Sequence, residues 1–543
     1  MKLQKTYILL LSICFINSCI AAHKSILQEI ENHTIGEITF VKDVIPPKDY
    51  SKKDILSSFD LKDCKDLNIR FFLDKPLVHY LQKLDTNLPA EELLAKGNFQ
   101  FSFYVDNTLI YKENLNQGAG TIAEKSTATV FRKPFISSTN EDSWGRFLWM
   151  RFMKRGGGEE SLTEGSHSLK IEIRPYLETP GIITGNIIAK GEITVNVIKP
   201  KVIEEQIKVQ PIAANSGWII SENKYDTQKI KELNKKILQE DFKDITSIVV
   251  IKNQKLLLEE YFNGADRTTL HDTRSVGKSF ASTLLGIAIE DKYIKDENQT
   301  LHTFYTLKNF KNYSPEKETI TIKNLLMMRS GIDGDDSNPD SPGNEENMYP
   351  TPNWLQFALD QPMSKESTND KKWSYYTAGT IILGDILNKK VPDGLEKYAH
   401  KKLFAPLGIQ NYQWEYTPQK IANTAGGLRM SSLDYAKYGQ LYKNNGVWNK
   451  NQILPKKWVQ TSLAPQIGLP HTKDEFYGYL FWNKKYTIND ISYEVSYCSG
   501  NGGNKIFIFK DLPLVIVITA VAYNKPNEVD KIMKEYLLPA IID

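Results

Sequence analysis

Cysteine is scarce in this chain: there are four in 543 residues, and two of them, Cys14 and Cys19, fall within the first 22. The other two, Cys64 and Cys498, lie far apart in sequence, so no disulfide scaffold is indicated. An excess of one charge is also missing. Lys and Arg number 68 against 65 Asp and Glu, a net charge of +3, which argues against a nucleic-acid footprint. No histidine–carboxylate or cysteine cluster has metal-ligand spacing, so neither a metal nor an organic cofactor is expected. Internal repeats and low-complexity tracts are lacking, and beyond the leader no segment resembles a membrane span. The length suffices for two or three domains, each with its own core.

The first 22 residues have the composition of an export signal. Lys2 and Lys5 precede an apolar run over 7–16, too short to cross a bilayer permanently. Ile16-Asn17-Ser18-Cys19 resembles a bacterial lipoprotein processing site, which would make Cys19 a lipidated first residue and a membrane tether. Asn17 departs from that pattern and leaves plain cleavage near Ala22 open. The expected location is periplasmic or membrane-anchored.

Residues 23–202 read as a β-rich, sandwich-like domain. Phe99, Phe101, Phe103 and Val105 alternate with Asn98, Gln100, Ser102 and Tyr104, and Asp106-Asn107 offers a hairpin turn. Leu169/Ile171/Ile173 and Ile193/Val195/Val197 show the same period of two, which predicts one wet face. Gly156-Gly157-Gly158 marks a flexible loop, and Trp144, Phe147, Trp149 and Phe152 form a core cluster. No chemistry is indicated here, and the expected role is a spacer, a lid, or a module docking on cell wall or a protein partner. Residues 203–225 are expected to be a linker.

In residues 226–543 the chemistry centres on Ser275-Val276-Gly277-Lys278, which opens an apolar run to Ile289. Residues three apart share a helix face, so a helix beginning at Ser275 sets its hydroxyl beside the Lys278 ammonium and the free N–H groups of the first turn. That is a nucleophile, a base and an electrophilic donor together. Ser221/Lys224 and Ser314/Lys317 repeat the spacing in polar, loop-like surroundings. Gly277-Lys278-Ser279 lacks the glycine five positions earlier that a phosphate-binding loop needs, since Asp272 stands there. A nucleophile elbow at Ser279 would need a histidine, and His302, His400 and His471 sit in no recognisable motif. Further on, Tyr375 precedes a second apolar helix, and Cys498-Ser499-Gly500-Asn501 begins a glycine-dense strand. Hairpins and helices at both ends of the region predict one antiparallel sheet flanked by helices, with a helical insertion.

Ser275-x-x-Lys278, Tyr375-x-Thr377 and Ser499-Gly500-Asn501 resemble, in order and spacing, the three motifs of the serine β-lactamase and penicillin-binding-protein superfamily. The flanks, Thr321 to Gly331, Leu403 to Gly408 and Ala425 to Asp434, resemble its class C β-lactamase, esterase and 6-aminohexanoate-dimer hydrolase branch. The resemblance implies an α/β fold over 226–543, a multidomain chain, and an acyl-enzyme hydrolase acting on a small-molecule or peptide-like ester or amide. It implies Ser275 as nucleophile, Lys278 and Tyr375 as proton carriers, and the Ser275 and Asn501 N–H groups as oxyanion hole, with Gly500 allowing close approach. Thr377 stands where asparagine is usual, and Cys498 where lysine or histidine is usual. A basic residue there would face a substrate carboxylate, so its loss favours an esterase or amidase over a β-lactamase or D-alanyl-D-alanine peptidase. A catalytically silent sensor or cell-wall-binding protein is the rival reading.

Overall fold

The computed structural model describes residues 33–542 apart from 43–44, 46–49, 63, 118, 138–145, 339–340, 366–371, 471 and 524–526. The expected leader with Cys14 and Cys19, together with Trp144 and His471, lies outside the described residues. The chain divides into two compact units, Met1–Lys199 and Pro200–Asp543.

The first unit carries two sheets. Ile38–Val41, Leu67–Phe72 and Val130–Ile136 form an antiparallel three-stranded sheet. The second runs in the order Ser58–Asp60, Ala189–Val197, Gly165–Glu178, Gly97–Val105 and Thr108–Asn114, with Ile182–Thr184 added onto Gly165–Glu178. Phe71 and Phe131 of the smaller sheet meet Phe99 of the larger edge-on, at 5.5 and 5.1 Å between ring centroids. Asp106 and Asn107, both at positive φ, make the expected hairpin turn. The wet face expected on Gly97–Val105 is absent, because Asn98, Gln100 and Ser102 are buried with their apolar neighbours. Asn98 survives burial by donating to the Asn116 and Ala119 carbonyls, and Gln100 by donating to Asn114. Gly156-Gly157-Gly158 is a tight turn and no loose loop: a Cβ on Gly156 would fall 2.5 Å from the Tyr111 ring. Phe152 is core, stacked 4.7 Å from Phe103, with Trp149 packed on both it and Phe135.

The second unit is built on an eight-stranded antiparallel sheet. Its strands are β1 (Ile245–Lys252), β2 (Lys255–Tyr261), β3 (Ile467–Gly468), β4 (Phe476–Tyr477), β5 (Trp482–Ile488), β6 (Ile491–Gly500), β7 (Asn504–Phe509) and β8 (Leu514–Ala520). The order β2-β1-β8-β7-β6-β5-β4-β3 joins the two ends of the unit, with Ile248 opposite Ile518. The central strands are apolar on both faces because both are covered. Val249, Val515 and Val517 enter the core of the helical part, whereas Ile248, Ile516 and Ile518 enter a second core against the terminal helices. Helix α1 (Thr227–Leu238), capped by Asp226, supplies Ile230, Leu233 and Ile237 to that second core. The inserted helical part contains α2 (Val276–Glu290) and α3 (Thr377–Lys390), buried nearly throughout, and α4 (Ser432–Lys443). Residues 203–225, expected as a linker, belong to this unit. Ile219 and Ser221 exchange backbone hydrogen bonds with Leu256, and Gln210 bonds Glu260 and Tyr261, so the stretch pairs along the edge of β2.

Candidate active site

Ser275 is the N-cap residue of α2, half-buried at the helix mouth. The chain enters through Arg274, whose positive φ of 52° is uncommon for a residue with a side chain. One turn on, the buried Lys278 Nζ donates to Ser275 Oγ at 2.8 Å and to the Ala425 carbonyl at 2.9 Å. The carbonyl reaches the ammonium because Gly426 lies across the first turn of α2. A Cβ on Gly277 would sit 3.1 Å from Gly426 Cα, and one on Gly426 3.2 Å from the Arg274 carbonyl.

The end of β6 closes the other side. A Cβ on Gly500 would fall 1.8 Å from the Thr273 carbonyl oxygen and 3.2 Å from Ser275 N, so only glycine fits. The β6–β7 turn that holds Asn501 is fixed by Asn504, which donates to the Asn501 and Ala520 carbonyls and accepts from Ala520 N–H. Tyr375 comes from the segment before α3. Its ring centroid lies 5.2 Å from Lys278 Nζ, and it packs against Trp482 at 5.7 Å and Trp373 at 6.1 Å. Ser275, Lys278, Tyr375 and Gly500 are therefore brought together.

The remaining expectations fare differently. Cys498 does not face a cleft: it is fully buried in the core with Tyr438, Tyr442 and Ile506, and burial pushes its thiol up to about 12. Strand alternation puts Ser499 on the opposite face, that of Tyr497, across from Lys505. Thr377 is buried as the first residue of α3, and its backbone N–H donates to Asp336 Oδ2 at 2.8 Å. Asp336 itself carried no sequence signal, being one acid in an aperiodic loop. Burial and the neighbouring Glu345 push its carboxyl up to about 6, against the opposing pull of Thr377 and Lys278. Among the described residues no group of three or more His, Cys, Asp or Glu could hold a metal ion.

Known proteins bear on this geometry. The sequence model of the Beta-lactamase family matches residues 243–538, more than half of the chain. Among curated proteins, Protein flp of Staphylococcus aureus strain N315 is 26% identical over 215 residues, 37% of this chain and 41% of flp. The chain thus matches well under half the length of that relative. Among solved structures, a penicillin-binding protein homologue from Pyrococcus abyssi is 18% identical with a TM-score of 0.44, covering 57% of this chain and 75% of that one. A D-stereospecific amidohydrolase from Streptomyces sp. is 16% identical with a TM-score of 0.43, covering 53% and 93%. With Ser275, Lys278, Tyr375 and Gly500 all inside the matched span, this chain belongs to the beta-lactamase family of serine hydrolases.

Proposed function

We propose that the protein cleaves a neutral ester or amide through an acyl-enzyme on Ser275, with Lys278 and Tyr375 moving the protons. The observation that carries this reading is the 2.8 Å contact of Lys278 Nζ with Ser275 Oγ. The neutral amine of Lys278 takes the hydroxyl proton and becomes the ammonium as Ser275 Oγ attacks the carbonyl carbon, and the oxyanion forms against the Ser275 and Asn501 N–H groups. Collapse expels the leaving group with a proton from Tyr375, and water, activated by the same groups, releases the acid. The helix mouth supports the oxyanion further, because the dipole of α2 favours negative charge at its N-terminus.

The substrate class follows from what the third motif lacks. A neutral, fully buried thiol at Cys498 offers no charge-assisted bond to a substrate carboxylate. Neutral esters and short amides are accordingly the proposed substrates, and cephalosporins poor ones. A fluorophosphonate probe tests the core of the reading: labelling of wild type that disappears in Ser275→Ala supports it. An unlabelled wild type, inert toward both esters and amides, would favour a silent binding protein instead.

We further propose that the chain is exported and tethered through Cys19, and that its first unit docks on cell wall or a partner. No helix among the described residues is long and apolar enough to cross a membrane. Cys19→Ala should move the protein from the membrane pellet to the soluble fraction, and an unchanged distribution would refute the lipid anchor.

A further inference from the structure

The segment 374–377 is gripped by the loop that begins at Asp333. Ser374 Oγ donates to the Gly334 carbonyl at 2.7 Å. Two residues on, Asp336 N–H donates to the Tyr375 carbonyl at 3.0 Å, while Asp336 Oδ2 accepts from Thr377 N–H at 2.8 Å. One residue thus holds the two successive peptide groups that follow Tyr375. Its second oxygen, Oδ1, accepts from Glu345 N–H at 2.8 Å, which braces the loop against the helix Glu345–Met348. Charged and titratable groups close to the carboxylate are Glu345, Lys278, Tyr349 and Tyr376. No bond from Asp336 to Ser275 or to Lys278 is present, so it does not act on the nucleophile directly.

We infer that Asp336 is a positioning residue for Tyr375, fixing the phenol for proton transfer by clamping the backbone on its C-terminal side. The inference rests on the proposed role of Tyr375. A phenol must sit within hydrogen-bond reach of the leaving atom, and a displacement of an ångström is costly in rate. Tyr375 itself is half-buried against two tryptophan rings, and such non-directional apolar contacts do not by themselves fix where its hydroxyl lies. The backbone clamp supplies the missing restraint. The local sequence gives Thr377 no means of doing this, because its side chain is buried and its N–H is the group being held.

The test is a double-mutant cycle on ethyl butyrate hydrolysis, with fluorophosphonate labelling as the second readout. Asp336→Asn keeps an acceptor for Thr377 N–H but turns an amide donor toward Glu345 N–H, and Asp336→Ala removes both acceptors. Asp336→Asn should lower kcat about 10-fold and Asp336→Ala about 100-fold, with KM changed less than about 2-fold. Labelling of Ser275 should stay within about 3-fold of wild type, because fluoride leaves without the help of a phenol. In the Tyr375→Phe background, Asp336→Asn should cost less than about 2-fold more, since the group it positions has gone. Losses that multiply in full, or labelling that falls in step with turnover, would show a merely structural role and overturn the inference. So would a wild-type kcat in Asp336→Ala. Should Asp336→Ala lose its melting transition, the near-isosteric Asn variant carries the cycle. Failure of the underlying reading looks different: wild type itself would then be unlabelled and inert toward the ester, which overturns both.

Discussion

Ser275/Lys278 and Ser314/Lys317 share one spacing, yet the two sites have little else in common. Both lysines are buried, at 2% and 1% exposure, and both serines stand at the N-cap position of a helix. Lys278 turns back to the serine one turn earlier and also donates to the Ala425 carbonyl. Lys317 turns away, to the Lys311 and Leu359 carbonyls at 3.2 and 2.9 Å. The surroundings expected to be polar and loop-like at Ser314 are in fact a buried ammonium under a one-turn helix, Pro315–Glu318. The spacing, then, only brings two groups within reach. Groups distant in sequence decide the rest, namely Ala425, the Gly500 strand end and Tyr375 at one site, against carbonyls alone at the other.

The contrast breaks first if the wrong serine carries the activity. Ser275→Ala and Lys278→Ala should each lower kcat/KM for an ester about 1,000-fold or more while the protein stays folded. Lys317→Met should leave kcat/KM within about 2-fold of wild type. Comparable losses from both lysines would mean that the active centre has been misplaced.

Next in size is Gly500, the element that Ser314 lacks altogether. The Thr273 carbonyl and the Ser275 N–H are backbone and cannot step aside for a Cβ at 1.8 Å. Gly500→Ala should therefore push the nucleophile away from its oxyanion donors and cost about 100-fold in kcat, with a lower melting temperature. A wild-type kcat in Gly500→Ala, read by steady-state kinetics, would show that β6 does not help to form the oxyanion hole.

Much of this could be read in the letters because it rests on local chemistry. The hydroxyl–ammonium pair follows from helical spacing, and the turn at Asp106-Asn107 follows from residues that tolerate positive φ, which both adopt. The apolar terminal strands β1 and β8 announced a sheet closed from both ends. Three things were hidden for physical reasons. Period-two alternation places Cys498 and Ser499 on opposite faces but does not say whether either face is open there, and on the α2 side, where Cys498 lies, the core closes over the thiol. The Ala425 contact to Lys278 is a backbone carbonyl, which any residue supplies. Asp336 acts through peptide groups in a loop without periodicity, where nothing separates it from Asp333 or Asp335.

A smaller effect sharpens the contrast through pH. Burial holds the Lys317 ammonium down at about 8, below its ordinary 10.5. Between those values the folded chain carries fewer protons than the unfolded one, so stability rises with pH across that window. It is lost again as pH falls through about 8. Lys317→Met has no such titration. The stability of wild type relative to Lys317→Met, from urea unfolding, should shift in favour of wild type from pH 8 to pH 10.5 and stay flat from pH 6 to pH 7. A flat difference throughout would mean that Lys317 keeps its charge in the folded protein.

The smallest effect belongs to Ser314, and it is the sharpest foil to Ser275. Ser314 has the extended backbone of an N-cap, with φ −148° and ψ 154°, yet its side chain bonds no backbone N–H of the helix it opens. Pro315 supplies no N–H at the first position, and a four-residue helix has little dipole to complement. The hydroxyl is itself buried and engages no hydrogen-bond partner among the described residues. A hydroxyl that makes no bond gives up none when it is removed, and its small methyl replacement fits the same space. Ser314→Ala should therefore melt within about 2 °C of wild type and keep its full kcat. Any measurable loss of turnover would mean that the second pair is coupled to the site after all, and that burial of a lysine beside a serine matters more than the carbonyls and strand end around it.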